Sequence, residues 1–512
     1  MPRQRGFPTT SLLAGLDAEA RLPLHRQLYE EIRNAVLAGR IAPGDRIPST
    51  RSLAQDLGVS RTTVLQAVDQ LRAEGYLKSV VGSGTRVADV LPERLTQVRR
   101  TAAPPVPPLP PSTLSARGAA IAATPRALQR VGREPRGFRL GIPALDLFPR
   151  KLWNRLLIQR ARLTSVSELD YGPPAGVPAL REAIASYVAT SRGVRCTPDQ
   201  VIVVAGVQQA IGFAARLLMD PGDEAWLEDP AWLAARAALT GAGARVVPVP
   251  VDARGIDVAE GIRRAPHARL VCVTPSHQYP LGVTTTLERR LMLLEWARGA
   301  DAWILEDDYD SEFRYGGRPL MALQGLDGGS RVIYLGTFSK SVFPALRIGF
   351  VVVPQPLAEA FVRARLVTDQ HPPTLDQLTL ADFIRGGHFA RHLRRMRRAH
   401  ESRQNVLIEE VRRELGGLLT LQPSNAGLHM VGYLPADLPD REVERQALLR
   451  GVEISPLSPH YLGPVRQNGV LMGFASTGEA EIRHAVRQLA LAIRSVPAGA
   501  DGECASRESR AA

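Results

Sequence analysis

Primary amines are scarce in this chain, and their positions restrict its chemistry. Among 64 lysine and arginine residues, only Lys78, Lys151 and Lys340 are lysines. A covalent bond between a side-chain amine and an aldehyde therefore has three candidate positions. Lys151 begins a helical pattern and Lys78 lies in a short β-prone run, whereas Lys340 lies in a small polar loop, GTFSKS, directly after a β-prone run. We expect Lys340 to be the reactive amine.

A carboxylate and a phenol follow another β-prone run. Asp307 ends AWILED, the kind of buried strand whose carboxyl end faces a ligand in a parallel sheet. Its carboxylate is placed to hold a protonated ring nitrogen, and Tyr309 is placed to donate a hydrogen bond to a ring oxygen. The alternative for the stretch DDYD is a solvated acidic turn or a metal loop. No second acidic cluster at metal spacing accompanies it, so we predict no metal site.

Three segments supply groups for an anion and a flat ring. VIVVAGVQQA predicts a strand that leads into a helix, so the free amides of Val207 and Gln208 after Gly206 would face an anion. Further groups for the same anion are Thr337, Ser339 and Arg347. Trp232 in LEDPAW is the predicted stacking ring, although a lone tryptophan is as often a core residue. Amine, carboxylate, anion cradle and ring together are what pyridoxal 5′-phosphate requires.

The elements that would position these groups extend from Phe138 onward. β-prone runs, among them VIVV, LVCV, AWILED and IGFVVV, alternate with helical patterns. This alternation predicts an α/β domain with a mostly parallel central sheet. From about Leu357, a long arginine-rich helix pattern precedes strands near 427–433 and 470–474, which predicts a smaller α+β subdomain. For RHLRRMRRAHESR, we favour a structural helix over an accessory surface for DNA phosphates.

A separate unit is predicted between about Leu24 and Val87. Three helical patterns precede two β-prone runs that flank a Gly-Ser-Gly loop. This order predicts a winged helix-turn-helix, in which the first turn of the third helix contacts bases and phosphates. The predicted DNA contacts are Arg51, Ser60, Arg61, Thr62, Thr63 and Gly82. The alternative is a packing module with solvated arginines, which the ordered set of elements disfavours.

Bulk properties set the remaining expectations. The length of 512 residues exceeds one ordinary core. We predict a DNA-binding domain at 20–88, a proline-rich linker at 89–136, a cofactor-binding domain at 137–498 and a disordered tail at 499–512. No apolar run reaches 18 residues and no secretory signal is recognisable, so we expect a cytoplasmic protein without a membrane role. Cys196, Cys272 and Cys504 are odd in number and far apart, which predicts reduced thiols.

Two sets of motifs carry family resemblances. LYEEIRNAVLAGRIAPGDRIPSTRSLAQDLGVSRTTVLQAVDQLRAEGYLKSVVGSGTRV resembles the GntR family of bacterial regulators. LDYGPPAGVPALREAIASY, AGVQQAI, LEDPAW, TPSHQYPLG, ILEDDYDSEFRY and GTFSKSVFPALRIGF resemble the fold-type I aminotransferases. The combination resembles the MocR subfamily of regulators. It implies two ligands, double-stranded operator DNA and pyridoxal phosphate.

The resemblance also implies individual roles. Lys340 would bond to the cofactor aldehyde, Asp307 would hold the ring nitrogen, Tyr309 the 3′-oxygen and Arg347 the phosphate. Tyr171 would reach the phosphate bound by the partner subunit, which implies a homodimer.

The chain departs from the aminotransferase pattern at two places. An asparagine normally precedes the proline of N-P-x-G, but here His277 and Gln278 come before Tyr279-Pro280, so the side chain at the 3′-oxygen stays open. Leu471 stands where aminotransferases keep an arginine for the substrate carboxylate, and the alignment of Arg466 as a substitute is loose. Without that clamp, efficient transamination is not expected.

Two functions therefore remain open. The first is a regulator in which pyridoxal phosphate, or its adduct with an amine or amino acid, changes DNA binding. The second is a working aminotransferase with a DNA-binding remnant. We favour the regulator because the DNA-binding segment is intact and the substrate arginine is missing.

Overall fold

The computed structural model describes residues 16–17, 20, 22–80, 84–90, 114–123, 137–316 and 320–496. The chain divides into two units, Met1–Thr113 and Leu114–Ala512. The predicted tail at 499–512 and most of the predicted linker lie outside the described residues.

The first unit contains three helices and a hairpin. Its elements are α1 (Leu24–Leu37), α2 (Thr50–Leu57), α3 (Arg61–Ala73), β1 (Leu77–Val80) and β2 (Gly84–Val87). The two strands are antiparallel, with Leu77 opposite Val87. Apolar residues at helical spacing, such as Leu28 and Ile32 in α1 and Val64 in α3, form one buried core. The predicted winged helix-turn-helix is confirmed.

Local capping chemistry fixes the turn between α2 and α3. The Ser49 hydroxyl accepts a hydrogen bond of 3.1 Å from the amide of Ser52 and begins α2. Gly58 ends α2 with a φ of 64°, a conformation that favours glycine. The Ser60 hydroxyl then accepts a 3.1 Å hydrogen bond from the amide of Thr63 and begins α3. The short connection therefore places the first turn of α3 immediately after α2.

An eight-stranded sheet organises the second unit. Its strands are β3 (Val201–Val204), β4 (Glu224–Asp229), β5 (Arg245–Asp252), β6 (Gly255–Ile256), β7 (Leu270–Val273), β8 (Trp303–Asp308), β9 (Val332–Thr337) and β10 (Gly349–Val352). Their order across the sheet is β3-β10-β9-β8-β7-β4-β5-β6. Strands β9, β8, β7, β4 and β5 are mutually parallel, whereas β10 is antiparallel to both neighbours and β6 to β5. The predicted mostly parallel sheet is confirmed.

Helices accompany this sheet along the chain. They are α4 (Ala116–Ala122), α5 (Arg150–Leu163), α6 (Pro178–Arg192), α7 (Val207–Leu218), α8 (Leu233–Ala242), α9 (Val258–Arg264), α10 (Leu287–Gly299), α11 (Leu323–Asp327), α12 (Ala358–Thr368) and α13 (Thr374–Arg385). Successive β3 residues contribute to different cores, Val201 and Val203 to one and Ile202 and Val204 to the other. The sheet is therefore buried on both faces, as parallel sheets are.

Helix α4 lies inside the interval predicted as linker. Its cap is Ser115, whose hydroxyl accepts a 3.0 Å hydrogen bond from the amide of Gly118. The helix packs against α8. The extended spacer predicted for 89–136 is therefore interrupted, because an alanine-rich stretch with a serine cap favours a helix once it has a surface to pack on.

A smaller α+β subdomain follows. It comprises α14 (His388–Leu415), β11 (Thr420–Leu421), β12 (His429–Tyr433), α15 (Asp440–Leu449), β13 (Ser455–Pro456), β14 (Gly469–Gly473) and α16 (Glu479–Arg494). Its antiparallel sheet has the order β11-β12-β14-β13. The arginine-rich α14 buries an apolar face that includes Leu393, Met396 and Leu407. It is a packed structural helix, which is the interpretation favoured from its sequence.

Two of the three cysteines fall in the described part of the chain. Cys272 is buried, Cys196 is half-buried, and both are free thiols. Cys504 lies outside the described residues. None of the described helices combines the length and the apolarity that crossing a membrane would need.

Candidate cofactor site and nucleic-acid interface

A cavity of about 420 Å³ lies at the carboxyl ends of the central strands. Its lining includes ten of the residues predicted to bind the cofactor: Gly206, Val207, Gln208, Trp232, Asp307, Tyr309, Thr337, Ser339, Lys340 and Arg347. Strands β8 and β9 are adjacent and parallel, so Asp307 and the loop carrying Lys340 reach the same edge. The tertiary structure thus brings together groups that are distant in sequence.

The Lys340 amine lies inside this cavity. Its Nζ donates a hydrogen bond of 2.8 Å to the Gly141 carbonyl. Burial lowers the pKa of Lys340, although the nearby carboxylates of Asp310 and Asp307 act in the opposite direction. A lowered pKa increases the unprotonated fraction of the amine near neutral pH. This is the form that attacks an aldehyde.

The carboxyl group of Asp307 lacks a hydrogen-bond partner on one oxygen. The side chain is buried, and Oδ1 has no partner within the described part of the chain. Burial, and then Asp308 and Asp310, raise the pKa of Asp307 well above its usual range. A protonated ring nitrogen would supply the missing donor and stabilise the ionised carboxylate. The site therefore fits the pyridine ring of pyridoxal phosphate.

Groups suited to a phosphate converge at the start of α7. Gly206 has a φ of 145° and precedes the free amides of Val207 and Gln208. A Cβ atom on Gly206 would lie 3.3 Å from Nη2 of Arg347, so the guanidinium lies directly against this turn. The residues that would hold the phosphate are therefore the α7 amides and Arg347. When bound, the cofactor supplies an aldehyde that reacts reversibly with amines.

A hydrogen-bonded group of side chains lies behind Tyr309. His277 Nδ1 is 2.9 Å from the Tyr309 hydroxyl and 3.0 Å from Oδ2 of Asp310. His277 is buried and outside the cavity lining, and this contact restrains the Tyr309 hydroxyl; a direct contact of His277 with the cofactor stays a prediction. Gln278 is also buried outside the lining, and its amide bonds to the carbonyls of Pro230 and Tyr279.

The first turn of α3 presents polar groups to solvent. Ser60, Arg61 and Thr62 are exposed, Thr63 is half-buried, and Arg51 on α2 is exposed. Neither arginine has an ion-pair partner within the described ranges, whereas Arg72 at the far end of α3 pairs with Asp69 at 2.9 Å. Free guanidinium groups beside open helix amides are suited to phosphates and guanine edges. Gly82 lies outside the described residues.

Comparisons with known proteins find a family match within each of the two units. Residues 24–87 match the family described as bacterial regulatory proteins, gntR family, and residues 150–489 match aminotransferase class I and II. The chain is 45% identical to the probable rhizopine catabolism regulatory protein MocR of Rhizobium meliloti, over 93% of this chain and 94% of that protein.

The chain belongs to the MocR-type regulators of the GntR family.

This MocR-type regulator is also similar to a second transcriptional regulator and to an aminotransferase of known structure. It is 32% identical to the pyridoxine biosynthesis transcriptional regulator PdxR of Corynebacterium glutamicum, over 91% of this chain and 95% of that protein. LysN, an α-aminoadipate aminotransferase from Thermus thermophilus complexed with N-(5′-phosphopyridoxyl)-L-leucine, is similar in structure. That match has a TM-score of 0.65 and 28% identity, and covers 70% of this chain and 91% of LysN. The MocR-type regulator is thus a DNA-binding protein that also binds pyridoxal phosphate.

Two aromatic residues predicted for the cofactor have different settings in this MocR-type regulator. Trp232 precedes α8, is half-buried and lines the cavity, which suits a stacking ring. Tyr171 is 79% exposed and does not line the cavity of its own chain. Its ring lies edge-on to His371 at 6.3 Å. Its role at a partner's phosphate stays a prediction.

Part of the cavity wall was not found from the sequence. The additional polar and aromatic lining residues include Arg139, Tyr279, His429, Glu453, Ser455 and His460. Of these six, all but Tyr279 come from the segment before α5 or from the small subdomain, and no local motif marks them. Leu471 is fully buried in β14 among Val431 and Leu457, and Arg466 is exposed. Neither lines the cavity of the MocR-type regulator.

Replacement of Gly206 by alanine is expected to weaken binding of pyridoxal phosphate about tenfold or more, equivalent to about 1.4 kcal/mol. A side chain there is strained at a φ of 145° and presses on Arg347. Titration of the apoprotein gives the Kd. Gly222→Ala is the matched control, because Gly222 has a φ of 99° with no atom within 4 Å of the added Cβ. An unchanged Kd for Gly206→Ala would contradict the assigned phosphate cradle.

Proposed function

We propose that this protein is a cytoplasmic, homodimeric regulator whose affinity for a double-stranded operator changes when a small amine or amino acid reacts with its cofactor. One observation carries the proposal. The same chain contains helix α3, whose first turn is exposed, and a cavity lined by Lys340 and by Asp307, of which one carboxyl oxygen has no partner among the described residues. In this proposal, the first site binds operator DNA and the second binds the amine.

The substrate-carboxylate position supports a sensor over an efficient enzyme. The side chain of Leu471 carries no charge and is fully buried in an apolar cluster, so this position cannot bind a substrate carboxylate. Rapid transamination requires the reacting amine to be held in one orientation, and a carboxylate clamp contributes much of that positioning. A sensor needs only reversible binding and release.

Exposed apolar residues support the homodimer. Leu163, Val166 and Leu169 are 64, 86 and 77% exposed, and they precede the equally exposed Tyr171. An apolar segment of this kind on a soluble protein surface marks a contact site. A second copy of the chain covering it would bring Tyr171 of the partner subunit toward the cofactor phosphate.

Regulation follows from linkage between the two sites. Suppose that the DNA-binding units have two arrangements and that the amine binds one of them more tightly. Operator affinity then changes by up to the ratio of the amine's affinities for the two arrangements. A switch from 1:99 to 99:1 needs a ratio of about 10⁴, and smaller ratios give a graded response. The same coupling requires operator DNA to change the affinity for the amine.

Electrophoretic mobility shift with the DNA upstream of the gene tests the proposal. The full chain is measured with and without pyridoxal phosphate, and then with a panel of amines and amino acids. We expect a specific shift whose midpoint depends on the small molecule. Lys340→Ala is the control, since its operator affinity should no longer respond to amines. Failure to bind DNA at low salt in every state would refute the regulator.

An aminotransferase is the second candidate function, favoured by the near-complete cofactor site. Incubation with amino acids and α-keto acids would then show repeated turnover. We expect little turnover, because the carboxylate-binding arginine is absent from its usual position. Sustained turnover without any operator response would favour the enzyme.

A further inference from the structure

We propose that Glu453 is a specificity-determining residue: it engages Arg139 in the cofactor cavity, so that the site selects primary amines that lack a carboxylate. This inference rests on the proposed function, because it names the class of amine to which the same site responds. It concerns a wall of the cavity that the aminotransferase motifs do not include.

The side chains of Arg139 and Glu453 lie next to each other in the cavity wall. Glu453 Oε1 lies 4.0 Å from Nε of Arg139, and both residues line the cavity. The Glu453 side chain is 7% exposed and that of Arg139 is 24% exposed. The glutamate is tied to the segment carrying Arg139, because its amide donates a 3.1 Å hydrogen bond to the Gly137 carbonyl. The buried carboxylate therefore lies beside the guanidinium with which a ligand carboxylate would form an ion pair.

The other cations of the cavity already have roles. Within the described lining, the lysine and arginine residues are Lys340, Arg347 and Arg139. Lys340 is reserved for the cofactor aldehyde and Arg347 for its phosphate. Arg139 is the remaining guanidinium, and Glu453 balances it. An incoming carboxylate would therefore have to displace the Glu453 carboxylate from Arg139, and the charge-balanced pair offers it no net attraction.

Two histidines add hydrogen-bond acceptors rather than charge. His429 Nε2 and His460 Nδ1 each lie 2.9 Å from a backbone carbonyl, that of Pro280 and that of Ala231. Each ring therefore donates its N–H to the carbonyl and keeps a lone pair on its other nitrogen. Burial lowers the pKa of His429 to about 4 and also lowers the pKa of His460, so both rings are neutral near neutral pH. Such a wall suits ammonium and hydroxyl donors.

The test compares amines with the amino acids that differ from them only by a carboxylate. The pairs are ethanolamine with L-serine and putrescine with L-ornithine. The full-length protein loaded with pyridoxal phosphate is titrated, and the Kd is taken from calorimetry and from the change in visible absorption. We expect each amine to bind about tenfold or more tightly than its amino acid. Equal binding, tighter binding of the amino acids, or no response to either pair would overturn the inference.

Variants then assign the preference to Glu453. Glu453→Gln keeps the shape and removes the charge, so affinity for the amino acids should rise about tenfold. Glu453→Asp should retain the preference for amines, and adding Arg139→Gln to Glu453→Gln should cancel the gain. Glu442→Gln is the control, because Glu442 pairs with Arg445 on the surface of α15. An unchanged amine-to-acid ratio in a Glu453→Gln protein that still binds the cofactor would refute the assignment.

Mobility shift on operator DNA separates this inference from the proposed function. If the amines bind selectively but leave operator affinity unchanged, the selectivity stands and the regulator proposal fails. If the amino acids bind best and do change operator affinity, the regulator stands and the role of Glu453 fails.

Discussion

Replacement of Lys340 by alanine is expected to abolish the visible absorption that pyridoxal phosphate acquires when it bonds to the protein. The reason is the scarcity of amines: Lys151 is exposed at the start of α5, and Lys78 is ion-paired with Asp89 in the DNA-binding unit. Neither lines the cavity. Borohydride reduction followed by mass spectrometry measures which side chain carries the cofactor. The label should be complete at residue 340 in the wild type and absent there in the variant.

The lowered pKa of Lys340 also predicts how formation of the bond to the cofactor depends on pH. Because burial favours the neutral amine, the bond should form at a pH below that needed by an exposed lysine. Lys151→Ala is the matched control and should keep the full absorption. Operator binding in the absence of amines should survive in Lys340→Ala. A label that persists in the Lys340→Ala protein, on either remaining lysine, would show that the reactive amine is misassigned.

Replacement of Arg61 by alanine is expected to weaken operator binding by about 1–3 kcal/mol, or roughly 10- to 150-fold. Arg61 begins α3 beside the hydroxyl cap of Ser60, and its exposed guanidinium has no ion-pair partner in the parts of the chain that the structure describes. Among the described residues, none therefore compensates for its charge, and the guanidinium can form a fork with guanine or phosphate. Mobility shift or fluorescence anisotropy against operator and scrambled DNA measures the loss.

Arg72→Ala provides a matched control on the same helix. Arg72 is in the last turn of α3 and is paired with Asp69, so its removal should change operator affinity little. The salt dependence identifies what Arg61 binds. If Arg61 binds a base, Arg61→Ala lowers the preference for operator over scrambled DNA, whereas if it binds a phosphate, the variant binds both DNAs more weakly and the salt slope falls by about one. Equal effects of the two substitutions would contradict the predicted recognition turn.

Local chemistry explains why much of this site was predictable. Asp307 lies near the end of β8 and Lys340 follows β9, and parallel neighbouring strands end at the same edge. Gly206 was recognisable because a glycine between a strand and a helix allows backbone amides to approach an anion. In the DNA-binding unit, Ser60 and Gly58 are capping residues whose effect reaches only a few positions. Such signals depend on neighbours in the chain and are visible in the sequence.

The part of the cavity lining that contains Arg139, Glu453, His429 and His460 depends on contacts between segments that are distant in the chain. Arg139 and Glu453 are far apart in the chain, and they meet because the Glu453 amide bonds to Gly137 and because Gly473 in β14 bonds to the Phe138 carbonyl. His429 and His460 enter the cavity through the packing of the small subdomain, and no motif marks them. Helix α4 likewise forms where a tertiary surface is available. Periodicity, caps and strand ends thus predicted the positions of the two candidate sites, whereas the charge balance proposed to select a ligand arises from long-range packing, which local patterns do not encode.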